Sequence, residues 1–321
     1  MKQNGKMMRA SPPRLPRDKT ELAVPTMQAP HRHPAELDRT VAPASQKAAA
    51  GHSAVTSVPG LQRVAGRHNP RLKDLRMAFR RGELTSAGEC AIEGVKTVEE
   101  ALRSGQRVTG VFFSESARPL ADKLLPQISS KVEPLLLPDS LFRSIVPSDT
   151  PQGVAALVKI RTWSAEQLLE RSEHGVLVVA ASIQDPGNLG TILRSAEAFG
   201  AAGIFFLEGT VSLFNAKVLR ASAGSAFRLP FLQILSGQLI PLLKQRGVRL
   251  LATSSHKGLP LPAVSWNLPL AIFIGNEGAG LPRDLLHQMD ESIVIPHAEQ
   301  VESLNAGVAA SIVLYEAARK T

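Results

Sequence analysis

The spacing of apolar and polar positions divides the chain into three stretches. Residues 1 to about 60 show no apolar periodicity and no aromatic residue, with Pro12, Pro13, Pro16, Pro25, Pro30 and Pro34 scattered among Ala and Ser. Such a segment cannot bury enough surface to offset its ordering entropy, which predicts a disordered tail. From Asn69 the pattern changes. Leu72, Leu75, Met77 and Phe79 alternate with Lys73, Arg76, Arg80 and Arg81 as a helix with an apolar and a basic face. Cys90 to Gly94 reads as a strand and turn, Val95 to Ser104 as a helix stopped by Gly105, and Val108 to Ser114 as a strand. A helix over Leu120 to Ile128 and a strand over Gly153 to Ile160, after Pro147 and Pro151, complete a small α/β unit over residues 61–160. Trp163 to Ser172 reads as a helical connector. In residues 161–321 the apolar runs Val176 to Ser182, Gly203 to Leu207, Val248 to Thr253, Leu270 to Ile274 and Ser292 to Ile295 mostly alternate with helical stretches. Continuous apolar strands separated by helices predict a parallel sheet covered on both faces, whose ligands bind at the carboxyl ends of the strands.

Composition narrows the class. The 321 residues hold 44% apolar and 20% charged positions, ordinary for a globular chain. Cys90 is the only cysteine, which excludes an intramolecular disulfide framework or a Cys-rich zinc site. No apolar run approaches the length of a membrane span. The net charge of +9 is uneven: residues 1–60 carry +5, residues 61–160 carry +4, and residues 161–321 are neutral. A basic amino-terminal half suits a polyanion partner, because Lys and Arg release counterions on pairing with phosphates. Arg-containing stretches in the tail have the look of a transit peptide, but Asp18, Glu21, Glu36 and Asp38 argue against one, and a cytoplasmic protein is expected.

The candidate chemistry lies after the strands of the second half. Asp185-Pro-Gly-Asn188-Leu-Gly190 makes a tight turn into a helix that carries Arg194 and stops at Gly200. Arg220 stands beside Ala and Ser, readable as a helix start. After Leu270 to Ile274 comes Gly275-Asn-Glu277-Gly-Ala-Gly280, neither a dinucleotide fingerprint nor a P-loop. The last strand ends Ile295-Pro296, and Ser303 reads as the N-cap of a terminal helix with Leu304 and Asn305 at its start. Asn305 inside a first turn is unexpected, since Asn is a poor helix former.

Three of these loops together resemble the ordered motifs of the SpoU (TrmH-type) RNA ribose 2'-O-methyltransferases: Asn188-Leu-Gly-Thr-Ile-Leu-Arg194, Phe273-Ile-Gly-Asn-Glu277-Gly, and Ile295-Pro296 with Ser303-Leu-Asn305-Ala-Gly-Val-Ala309. Upstream, Asn69-Pro70, Ile92-Glu93-Gly94 and Thr150-Pro-Gln-Gly-Val154 are similar to the SpoU substrate-binding domain. The segment His297-Ala-Glu-Gln-Val-Glu302 departs from the family, whose members usually carry Met and Gly there. The resemblance implies a carboxyl-terminal α/β parallel-sheet SPOUT domain with a deep trefoil knot over 161–321. It also implies a small ribosomal-protein-like α/β RNA-binding domain over 61–160, behind the disordered tail of 1–60. It implies S-adenosylmethionine as cofactor, contacted by Thr253, Gly275, Ile295 and Leu304, and no metal. Catalytic positions map to Arg194, Asn188, Glu277, Ser303 and Asn305; RNA contacts are expected at Arg71, Lys73, Arg76, Arg80, Arg81 and Arg220.

The implied reaction moves a methyl group to a ribose 2'-hydroxyl, in ribosomal RNA before transfer RNA. Arg194 is either a base or a cation that stabilises the developing alkoxide, and Glu277 orients Arg194 or steadies the cofactor loop. A non-catalytic RNA-binding assembly factor on the same fold is the rival from another class. A nicotinamide-dependent oxidoreductase lacks its glycine fingerprint here. The terminal helix carries two apolar faces, Leu304, Val308, Ile312 and Tyr315 on one and Ala306, Ala309, Ala310 and Val313 on the other, which predicts a homodimer.

Overall fold

A computed structural model describes residues 60–64, 66 and 68–320; the tail expected over 1–60 lies, except for Gly60, outside the described residues. The first lobe is β1 (Gln62–Arg63), α1 (Pro70–Arg81), β2 (Glu89–Glu93), α2 (Val95–Arg103), β3 (Arg107–Ser114), α3 (Pro119–Leu124), β4 (Pro134–Leu137), α4 (Asp139–Arg143) and β5 (Val154–Lys159). Its mixed sheet runs β1-β4-β3-β5-β2, with β5 antiparallel to both neighbours. Helix α1 starts where Asn69 accepts the N–H groups of Arg71 and Leu72, with Pro70 in the first turn, and ends at Gly82 in the left-handed region. Leu72, Leu75 and Ala78 face the sheet, leaving Lys73, Arg80 and Arg81 on the outer side. Strand β4 is absent from the sequence reading: Pro134-Leu-Leu-Leu137 is four residues long and opens on a proline, too short for periodicity to separate it from a loop.

The second lobe comes after α5 (Ala165–Arg171), whose Ser164 and Gln167 form a capping box. It comprises β6 (Leu177–Ala180), α6 (Pro186–Ala198), β7 (Gly203–Phe206), α7 (Ala216–Ala221), α8 (Ser225–Arg228), β8 (Phe231–Gln233), α9 (Ser236–Gln245), β9 (Arg249–Ser254), β10 (Leu259–Pro260), β11 (Leu270–Ile274), α10 (Arg283–Leu286), β12 (Glu291–Val294) and α11 (Ala306–Lys320). The sheet is parallel throughout, in the order β10-β12-β9-β11-β6-β7-β8. Strands β6, β7 and β11 are buried along their whole length, as continuous apolar runs require when helices cover both faces.

Two readings of the helices change. Arg220 lies in the last turn of α7, because Asn215 accepts the N–H of Lys217 and starts the helix five residues earlier. Helix α11 begins at Ala306, and Asn305, not Ser303, is its cap: the Asn305 side chain accepts the N–H of Val308 at 3.2 Å. The poor helix former stands outside the helix, where its side chain competes best for main-chain donors.

The lobes are not separated by a linker at 160. A single apolar cluster runs from Ile92, Val158 and Ile160 through Phe227 and Leu229 to Ile192 and Ile204, and the described residues form one compact unit. Cys90 belongs to this cluster, and burial pushes its thiol up to about 12, so it packs as an apolar side chain.

Candidate functional site

The site assembles at the carboxyl ends of β6, β9, β11 and β12. Beyond β6, Asp185 caps α6 by accepting the N–H of Asn188 at 2.8 Å, with Pro186 in the first turn. That fixes Asn188 at the sheet edge, where it is one of the few buried polar side chains.

Beyond β11 the chain closes a tight loop. Asn276 and Gly280 exchange main-chain hydrogen bonds of 3.0 and 2.8 Å, and the Asn276 side-chain oxygen accepts the N–H groups of Gly278 and Ala279. A Cβ on Gly275 would lie 2.4 Å from the carbonyl carbon of Gly280, so this pinch requires glycine. Asn276 also donates to the Ser182 carbonyl at 3.3 Å, tying the loop to the end of β6. Sequence reasoning passes over Asp185 and Asn276; an Asp before Pro-Gly and an Asn inside a glycine run are the signals that mark them.

Glu277 joins the three motifs through one oxygen. Its Oε1 accepts from Asn188 Nδ2, from Asn305 Nδ2 at 3.1 Å and from the main-chain N–H of Ala306 at 3.4 Å. The carboxylate thus sits at the amino terminus of α11, where the helix dipole favours negative charge. Of the two roles considered for Glu277, the geometry supports the steadying one. It forms no hydrogen bond or ion pair with Arg194, which is exposed and has neither kind of partner among the described residues.

Thr253, Gly275, Ile295 and Leu304 line one cleft of about 270 Å³, together with Glu277 and Ser303. Its walls mix apolar side chains such as Ile274, Leu281 and Val313 with main chain from loop 275–280. Thr253 does not present its hydroxyl freely, since that group donates to the Phe273 carbonyl at 3.0 Å. The main-chain groups of Gly275 and Leu304 take no hydrogen bond within the described residues. A partly apolar cleft edged by unused amide donors and acceptors fits a heterocycle read through the backbone, and the Glu277 carboxylate beside it suits a cationic ligand group. His297, in the segment that departs from the family pattern, also lines the cleft, its Nδ1 2.7 Å from the Ile295 carbonyl.

Helices α6 and α11 run side by side in three rungs. Gly307 rests against Thr191, the Ser195 and Ser311 hydroxyls are 2.6 Å apart, and Phe199 meets Tyr315 edge to face at 5.6 Å. Ala306, Ala310 and Val313 are buried and Ala309 is half-buried at the cleft, whereas Val308, Ile312 and Tyr315 stay 47%, 36% and 54% exposed. The small-residue face is therefore satisfied inside the chain, and the larger apolar stripe is not.

The expected RNA contacts split. Lys73, Arg80 and Arg81 are exposed and Arg76 half-buried on the outer side of α1. Arg71 is turned inward: its guanidinium donates to Glu89 at 3.2 and 3.3 Å and to the Thr109 carbonyl at 2.9 Å, and reaches Asp74. Burial pushes the Glu89 carboxyl up, but the Thr109 and Arg71 hydrogen bonds outweigh it and hold the group below its ordinary value. Arg71 thus completes the fold of the first lobe and has little left for a phosphate. Arg220 is exposed over much of its length, yet its guanidinium donates to Ser148 of the first lobe.

Residues 175–315 match the SpoU rRNA Methylase family, and residues 69–156 match the MRM3-like substrate binding domain. Over 255 residues the chain is 31% identical to the 23S rRNA (guanosine(2553)-2'-O)-methyltransferase RlmP of Bacillus subtilis, covering 79% of this chain and 98% of that one. It is 30% identical to the 23S rRNA (uridine(2479)-2'-O)-methyltransferase of Streptomyces viridochromogenes, covering 75% and 86%. The crystal structure of an AdoMet-bound rRNA methyltransferase from Sinorhizobium meliloti superposes with a TM-score of 0.68 at 28% identity, covering 81% and 98%.

Proposed function

The chain belongs to the SpoU rRNA methylase family, and we propose that it transfers a methyl group from S-adenosylmethionine to a ribose 2'-hydroxyl of large-subunit ribosomal RNA. The observation that carries this reading is the Glu277 junction, which joins the three motif loops at the edge of a cleft suited to the cofactor. A chain kept only for binding RNA has no use for that junction or for an exposed Arg194 that has no partner among the described residues.

Bound S-adenosylmethionine supplies an electrophilic methyl group on a sulfonium. The residues of the chain do the rest. Gly275, Ile295 and Leu304 would hold the adenosine end, with Ser303 beside them in the cleft and Asn305 next in the chain to position the ribose. Glu277 keeps Asn188 and Asn305 in register, so that the loops from β6, β11 and β12 move as one. A guanidinium offers five donors and no acceptor, so Arg194 serves as the cation that stabilises the developing 2'-alkoxide or holds the neighbouring phosphate, while the hydroxyl proton leaves to solvent water and the thioether departs with the sulfonium's electron pair. The basic outer face of α1 draws in the RNA backbone.

The exposed stripe of Val308, Ile312 and Tyr315 supports a homodimer through α11, beside the helix that presents Arg194. Ala310 is buried within the subunit, so Ile312→Arg is the interface probe; a mass that stays at two chains in light scattering would move the interface elsewhere. No helix among the described residues is long and apolar enough to cross a membrane. We place the protein in the cytoplasm with the RNA it modifies, and we read the carboxyl-terminal lobe as the knotted domain that the family resemblance implies.

The decisive experiment incubates the full chain with isotopically methyl-labelled S-adenosylmethionine and unmodified 23S rRNA transcript, then maps ribose methylation by resistance to alkaline cleavage. One protected nucleotide is expected. Label on a base, or no label on any ribosomal RNA, would overturn the reading.

A further inference from the structure

Two motifs of the first lobe take no part in the cofactor cleft or the Glu277 junction, and the fold brings them together. Gly94 donates to the Val154 carbonyl at 2.9 Å, and Gln152 Oε1 accepts the N–H of Val95 at 3.0 Å, so Ile92-Glu93-Gly94 and Thr150-Pro-Gln-Gly-Val154 form one corner. Glu93, the last residue of β2, is 4% exposed, and its Oε2 is buried without a hydrogen-bond partner. Burial pushes its carboxyl up, while Ser148 and the Arg220 guanidinium pull it back toward the charged form.

Arg220 comes from the other lobe. It stands in the last turn of α7 and donates to the Ser148 hydroxyl, so Ser148 touches both the acid and the cation. The next residue of α7, Ala221, is the seat of α6. A Cβ on Gly190 would lie 2.3 Å from the Ala221 Cβ and 2.8 Å from its carbonyl carbon, so the two helices meet with no side chain between them to absorb a shift. Arg194 is one turn beyond Gly190 on α6, and Asn188 lies just before it.

We propose that Glu93 and Arg220 are positioning residues, through which the first lobe sets α7 and thereby the α6 that presents Asn188 and Arg194. A buried carboxylate with one oxygen unused is a poor way to gain stability, and an apolar side chain of similar volume serves that end as well or better. What the charge adds is direction: it draws a single guanidinium into one place. Other contacts also join the lobes: Ser212 donates to the Gly82 carbonyl, Gln106 to the Phe227 carbonyl, and Arg228 of α8 bridges Glu100 of the first lobe to Glu197 in the last turn of α6. Arg220, held by Ser148 near the Glu93 carboxyl, adjoins Ala221, against which Gly190 packs at the end of α6 that carries Asn188 and Arg194. Its effect on catalysis rests on the methyltransferase reading; its effect on α6 does not.

The test compares full-length wild type with Glu93→Gln, Arg220→Met, the double variant and Gln106→Leu as an interlobe control. Amide hydrogen exchange over residues 186–198 is expected to quicken about tenfold in either single variant, with no further rise in the double variant, and to hold steady in the control. With unmodified 23S rRNA transcript, kcat is expected to fall by about tenfold to a hundredfold while the S-adenosylmethionine dissociation constant stays within about twofold. Arg220→Lys should recover part of kcat. Unchanged exchange over 186–198 in both single variants, or additive effects in the double, would overturn the proposal. If Glu93→Gln does not fold, Arg220→Met decides alone, because that side chain is largely at the surface. A wild type that methylates no RNA would sink the functional reading, and the exchange measurement would still decide this one.

Discussion

The two lobes keep their charged groups in opposite places. In the first lobe, carboxylates are built into the sheet itself: Glu89 and Glu93 open and close β2, both buried, one fully engaged by Arg71, Thr85 and Thr109 and the other left with an oxygen unused. In the second lobe the central strands β6, β7 and β11 carry no charged residue, and the side chains singled out for chemistry stand on loops or helices beyond their carboxyl ends. The pair Arg71 and Arg194 shows the consequence. Each is an arginine on a helix of its lobe, α1 or α6, yet Arg71 is engaged by Glu89 and Thr109 of its own lobe and Arg194 has no partner among the described residues. A parallel sheet covered on both faces cannot host a charge in its interior without a large desolvation cost, so its polar groups collect at the strand ends. A small mixed sheet with an edge strand can take a carboxylate if a guanidinium comes with it.

The sharpest way to break this contrast is to remove the two arginines in turn. Arg194→Ala should lower methyl transfer by about 10²–10³-fold and leave S-adenosylmethionine affinity within about twofold, as single-turnover kinetics and calorimetry on the same preparation would show. Full activity in that variant would remove Arg194 from the reaction. Arg71→Met should leave the turnover of folded protein nearly unchanged but cost about 2–3 kcal/mol of stability in chemical denaturation, because Glu89 then stays buried without its cation. A stability loss too small to measure would mean that Thr85 and Thr109 suffice for Glu89.

A smaller effect is expected from the outer face of α1. Replacing Arg80 and Arg81 with Gln should weaken RNA binding and reduce the slope of log affinity against log salt by about one unit per lost phosphate contact. The same measurement on Arg71→Gln should give an unchanged slope, since that guanidinium faces the protein. Equal slopes in all variants would place the RNA elsewhere.

The smallest effect has the most specific sign. Glu89 titrates below its ordinary value of 4.5, so its stabilising contribution is present at neutral pH and is lost as pH falls through the lowered value. Glu93 titrates above 4.5, so its contribution is present below that pH and is lost as pH rises through the raised value. Glu89→Gln should therefore be less stable than wild type at pH 7, with the deficit shrinking toward pH 3. Glu93→Gln should compare better with wild type at pH 7 than at pH 4. Parallel pH profiles for the two variants would show that the two ends of β2 hold their carboxyls alike.

Much of this molecule is legible along the chain. The parallel sheet is written in uninterrupted apolar runs, α1 and its basic face in helical spacing, and the site loops in their place after strands. Those signals are local, and burial on both faces writes them directly into residue order. The short strands β4 and β8 leave no such trace, because three or four residues carry too little periodicity and their pairing partners supply the stability. The cap of α11 is signalled by a poor helix former, although the residue types alone favour Ser303, two positions early.

The union of the loops at Glu277, the inward turn of Arg71 and the convergence of Glu93 and Arg220 on Ser148 were decided by the tertiary structure alone. Each joins groups far apart in sequence, 89 residues in the case of Asn188 and Glu277. Residue type says only that a carboxylate or a guanidinium needs a partner. Which partner it finds depends on what the packed backbone brings within about 3 Å and shields from water, and nothing in the neighbouring residues encodes that distance.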